Sequence, residues 1–75
     1  MSKSIKEANR FASKIKAYYD HAGKDGYSQA EYHWSQLGNI LYNVRKSNDA
    51  PIIKHIYDDC KKLMDEMKER ETSAD

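Results

Sequence analysis

The chain has 75 residues, 39% of them hydrophobic and 33% charged, with a mean hydropathy of −1.02. That length admits one small domain and excludes a multidomain enzyme, and no apolar run approaches the roughly 18 residues of a membrane span. Eight aromatic side chains and ten Ile, Leu and Val argue against full disorder, because they can form a core.

Net charge is +1, lower than a dedicated nucleic-acid binder usually carries. The balance is uneven along the chain. Over residues 3–20, Lys3, Lys6, Arg10, Lys14 and Lys16 face only Glu7 and Asp20, a net of +3. Over residues 49–71 seven acids face five bases, a net of −2. The single cysteine, Cys60, allows no intramolecular disulfide. Small secreted domains usually need such staples, so a cytoplasmic protein is expected. The N-terminal residues show no apolar signal segment.

The first predicted helix spans about residues 4–22. Ser4 and Glu7 have the spacing of a capping box. Ile5, Ala8, Ala12, Ile15, Tyr19 and Ala22 recur at steps of three and four, with Phe11 and Tyr18 widening the stripe. Gly23 is the expected stop, followed by a turn at Lys24-Asp25-Gly26.

The second predicted helix covers 28–46. Ser28 and Glu31 repeat the capping-box spacing, and Tyr27 with Tyr32 fits a hydrophobic staple. Its apolar stripe is Ala30, Trp34, Leu37, Leu41 and Val44, with Ile40 alongside. Arg45 and Lys46 suit the negative end of the helix dipole.

The third predicted helix, 50–70, opens at Asp49-Ala50-Pro51, with the only proline in the first turn. Ile53, Ile56, Cys60, Leu63 and Met67 make its stripe, flanked by Ile52, Tyr57 and Met64. Residues 72–75 read as a frayed tail. Three helices of similar length with short connections predict an all-α fold, a small antiparallel three-helix bundle over residues 1–71. The alternative is a helical hairpin that completes a bundle by dimerising.

The middle segment departs from the usual pattern. From Tyr32 to Val44 there is no Asp, Glu, Lys or Arg. At 100° per residue, Tyr32, Ser35, Asn39, Tyr42 and Lys46 fall opposite Leu37. Tyrosines around small uncharged polar groups resemble the centres of protein interfaces, where charge is depleted. This face is the predicted protein-binding surface, for another protein or for a second copy of the chain. A solvated neutral strip is the simpler reading of the same residues.

A second surface is formed by Lys3, Lys6, Arg10 and Lys14, on the face of the first helix opposite Ala12. Four cations in a row suit an anionic partner, and nucleic-acid binding is the alternative function. The plain reading is a charged helix face in water.

Catalytic chemistry is not expected. Asp20 and Glu31 occupy the first and twelfth positions of a calcium-hand loop. The third, fifth and sixth positions are Ala22, Lys24 and Asp25, which cannot complete the oxygen shell. His55 and Asp59 have i,i+4 spacing, but two ligands do not make a metal site. Cys60 is expected as a core hydrophobe and His33 as a boundary residue. No phosphate loop, nucleophile elbow or zinc-protease motif is present, so no cofactor, metal or small-molecule substrate is predicted. The expected function is that of a non-catalytic adaptor, regulator or inhibitor. Small helical accessory proteins of phages and mobile elements are of this size.

Overall fold

The computed structural model describes residues 2–72. Three helices account for nearly all of them: α1 (Lys3–His21), α2 (Gly26–Asn43) and α3 (Ala50–Thr72), all packed on one another. They form an all-α three-helix bundle 45 Å long, and no strand occurs among the described residues.

The helix boundaries differ from expectation for identifiable reasons. Ser2, not Ser4, caps α1. A cap residue must keep extended backbone, and Ser2 does so (φ −69°, ψ 156°), its hydroxyl accepting the Ile5 N–H at 3.1 Å. Ser4 is already helical, so the box with Glu7 does not form. At the other end the Ala22 N–H closes on the Tyr18 carbonyl, and Gly23 takes φ +58°, the left-handed conformation that glycine adopts without strain.

A single 3-10 turn, Gly23–Asp25, then leads directly into α2. The helix starts at Gly26, two residues before the expected Ser28. Gly26 is buried, and a Cβ there would lie 2.8 Å from Met67 Sδ and 3.2 Å from the Tyr18 carbonyl oxygen. The missing side chain lets the first turn of α2 press against both neighbours. Ser28 is consequently no cap: its hydroxyl donates to Glu71 at 2.9 Å. Nor do Tyr27 and Tyr32 staple the start. Tyr27 is half-buried beneath the Lys68 ammonium, and Tyr32 is exposed.

The second helix ends at Asn43, three residues short of Lys46. The Arg45 guanidinium folds back to donate to the Tyr42 carbonyl at 2.7 Å, beside the backbone N–H of Arg45 that donates to the same oxygen at 3.3 Å. In the following turn the Asp49 N–H donates to the Ser47 hydroxyl, and Pro51 stands in the first turn of α3. That helix runs past the predicted end at 70. Thr72 is helical rather than part of a tail, with its hydroxyl on the Lys68 and Glu69 carbonyls. The rest of the expected tail, residues 73–75, lies outside the described residues.

The core is drawn from all three helices: Ala8 and Ile15, Ala30 and Leu37, and Ile53, Cys60, Met64 and Met67. Met64 was expected on the flank but is 2% exposed, while Ile56 and Leu63 are only half-buried. The buried stripe of α3 is therefore turned toward Met64. Burying each of the larger side chains contributes about 1.5–3 kcal/mol.

Polar contacts join α1 to the last turns of α3. The Tyr19 hydroxyl donates to Glu66 at 2.6 Å, and Arg70 donates to the Tyr19 carbonyl at 2.7 Å while its guanidinium covers the Tyr19 ring. The hydrogen bond to the Glu66 carboxylate, aided by burial, holds the Tyr19 phenol above its ordinary range.

Candidate functional site

Helix α2 divides its sides sharply. Inward, Ala30 and Leu37 are fully buried. Toward α3, Trp34 stacks on Tyr57 with ring centroids 4.2 Å apart. Toward α1, His33 lies against Phe11 and Tyr18, at 5.9 and 5.6 Å between centroids. The outward side carries what is left: Tyr32, Ser35, Asn39 and Tyr42, all exposed.

The two tyrosines are 65% and 63% exposed, so their rings are not folded away into the bundle. Each ring touches one neighbouring aromatic or cationic group among the described residues. The Tyr32 ring meets His33 edge-on at 5.3 Å, and the Arg45 guanidinium lies 3.9 Å over the Tyr42 ring. Bracing of this kind limits the rotamer freedom that a contact would otherwise have to freeze. Lys46 departs from expectation. It is exposed but sits in the turn beyond Asn43, so it borders the α2 face at one end rather than extending it. Ile52, in the first turn of α3, is 50% exposed.

Lys3, Lys6, Arg10 and Lys14 are all exposed along α1. Among the described residues none of them has an acidic partner, whereas Lys16, Lys54 and Lys61 are paired with Asp20, Asp58 and Asp65. Arg10 lies over the Phe11 ring at 5.1 Å. The two surfaces read separately from the sequence therefore adjoin, through the contacts Tyr32–His33, His33–Phe11 and Phe11–Arg10.

His33 is half-buried, the boundary residue expected from the sequence, but its ring environment was not foreseen. Its Nδ1 is buried and has no hydrogen-bond partner. Burial, with a smaller contribution from the Lys14 charge, lowers its affinity for a proton below that of an ordinary histidine. Only its position beside the apolar stripe hinted at this.

The remaining candidates sit apart. Asp20 belongs to α1 and pairs with Lys16 at 3.2 Å, while Glu31 belongs to α2, so no calcium-hand loop joins them. His55 Nε2 is 3.6 Å from Asp59, too long for a hydrogen bond, and both side chains are exposed. Among the described residues no three His, Cys, Asp or Glu side chains are placed to hold a metal ion. Cys60 is buried beside a groove of about 230 Å³ between α1 and α3, floored by Ala12, Ile56 and Leu63. Burial, and then the Asp59 charge, push its thiol up to about 11. A second, more open cleft of about 440 Å³ lies between α1 and α2 at Tyr18, His21 and Gln29. No helix among the described residues is long and apolar enough to cross a membrane.

Comparison of the chain with protein-family models, with curated proteins and with solved structures finds no match.

Proposed function

We propose that this chain is a non-catalytic protein-binding module of the cytoplasm, an adaptor, regulator or inhibitor that docks through the uncharged outer face of α2. One observation carries the reading: Tyr32 and Tyr42 are 65% and 63% exposed on either side of Ser35 and Asn39, with no ion between them. A helix face turned to water ordinarily carries charges, as the outer faces of α1 and α3 do. Tyrosine gives large contact area at small entropic cost. The adjoining cations of α1 suit a partner with acidic groups beside its apolar contact. The lone cysteine, with no disulfide partner in the sequence, supports the cytoplasmic placement.

The test is affinity capture from an extract of the native host, with wild type and Tyr32→Glu/Tyr42→Glu side by side. The wild type is expected to retain a protein that the variant loses, with equal helical circular dichroism in both. Equal capture by both proteins refutes the reading. So does retention by nucleic acid at low salt that Lys6→Glu/Arg10→Glu erases, which would instead support the basic stripe as the site.

A further inference from the structure

The outer face of α2 is symmetric about Leu37. Tyr32 and Tyr42 stand five residues to either side of it, and Ser35 and Asn39 stand two residues to either side. Beyond the tyrosines the two ends of the face carry opposite charge. At the N-terminal end are Glu31 and Glu71, the latter held beside α2 by the Ser28 hydroxyl at 2.9 Å. At the C-terminal end are Arg45 and Lys46. All four of these charged side chains are exposed, and none has a salt-bridge partner among the described residues.

A surface with matching centres and opposite ends is complementary to itself under a two-fold rotation. We propose that the partner of this face is a second copy of the chain, with α2 packed antiparallel on α2; this rests on the protein-binding reading above and names its occupant. The rotation axis crosses the contact at the level of Leu37, on the side of α2 away from that buried residue. It sets each Tyr32 next to the Tyr42 of the second copy, and Ser35 next to Asn39. Glu31 and Glu71 then meet Arg45 and Lys46 at both ends of the contact. The parallel alternative sets Glu31 against Glu31 and Arg45 against Arg45, which like-charge repulsion disfavours. Antiparallel packing also places opposite ends of the two helix dipoles together. Arg45 is already fixed over the Tyr42 ring, so its charge is presented at the edge of the face without further ordering.

The contact is one helix wide and the 18 residues of α2 long. A patch of that size falls below standard interface area, so the dimer is weak and reversible, with a dissociation constant on the order of 10–100 µM. Sedimentation equilibrium over about 10 µM to 1 mM brackets that constant. The mass is expected to rise from 8.7 kDa toward the dimer with increasing concentration. Two charge-inverted variants test the register: Glu31→Lys/Glu71→Lys and Arg45→Glu/Lys46→Glu. Each alone places like charges at both ends of its own dimer and is expected to associate at least about tenfold more weakly. Mixed in equal amounts they pair each inverted end with its opposite, and association returns. That restoration also shows that both variants are folded.

A wild type that stays at 8.7 kDa throughout overturns the inference, as does a mixture that fails to associate. If a protein from the host extract is still captured through Tyr32 and Tyr42 while the chain alone remains monomeric, the protein-binding reading stands with a different occupant. If that capture is absent too, both fall together.

Discussion

Glycine to alanine at two positions of α2 should shift stability in opposite directions. Gly38 lies mid-helix, and a Cβ there would meet only the Tyr57 ring edge at 3.7 Å, an ordinary contact. Gly38→Ala therefore keeps the helix-propensity gain of ~0.8–1 kcal/mol in full. Gly26 has the same backbone type (φ −57°, ψ −44°) but no room. Its added methyl would come 2.8 Å from Met67 Sδ and 3.2 Å from the Tyr18 carbonyl oxygen. The thioether can swing away, but Met67 is fully buried and its shift disturbs the core. The carbonyl is backbone, at the end of α1, and accepts the Ala22 N–H. Overpacking of this kind costs about 1–3 kcal/mol, more than the propensity gain, leaving a net loss of ~1 kcal/mol. In a domain of this size that corresponds to a Tm about 4–8 °C lower for Gly26→Ala and a similar rise for Gly38→Ala. Thermal unfolding followed by far-UV circular dichroism measures both. If Gly26→Ala raises Tm as Gly38→Ala does, α2 does not begin where described and the packing argument fails.

Stability should also depend on pH through His33. Its proton affinity is lowered in the fold, so above the ordinary value of 6.5 it is neutral in folded and unfolded chains alike and contributes no slope. Below that value the unfolded chain takes up a proton that the half-buried ring resists, and stability falls with pH until the folded ring is protonated as well. His33→Phe, which keeps the ring between Phe11 and Tyr18, should show a shallower fall in Tm between neutral and mildly acidic buffer. Parallel curves for the two proteins would remove His33 from the account. The Cys60 thiol, raised to about 11 and 3% exposed, should resist alkylation in the native protein at mildly alkaline pH and react promptly in denaturant. Equal rates in the two conditions would contradict the placement of Cys60 in the core.

The three helices were legible because their apolar residues keep a period near 3.6 and the breaks at Gly23 and Ser47-Asn48 interrupt it. Their ends were less so. Ser2 and Ser4 are both chemically able to cap α1, and the choice rests on which of them retains extended backbone. The start of α2 depends on Gly26 meeting Met67, a residue 41 positions away whose approach no local pattern records. Ser28 looked like a cap because its partner, Glu71, is equally remote. On α3, Met64 and Leu63 are adjacent and similarly apolar, and only the rotation of the helix against α1 and α2 decides which is buried. The outward placement of two tyrosines on α2 was more legible. Exposure of Tyr32 and Tyr42 follows from the angular position of Leu37 alone. His33 did not follow, since the ring it meets depends on the order of helices around the bundle axis.

An odd number of helices has a consequence for anything attached to this chain. Residues 2 and 72 emerge at opposite poles of a rod 45 Å long, with the tyrosine face on its flank between them. A donor–acceptor dye pair on the two poles would act as a ruler, changing its reading only if the rod itself comes apart, while a tether at residue 72 would adjoin Glu71 and so crowd one end of that face.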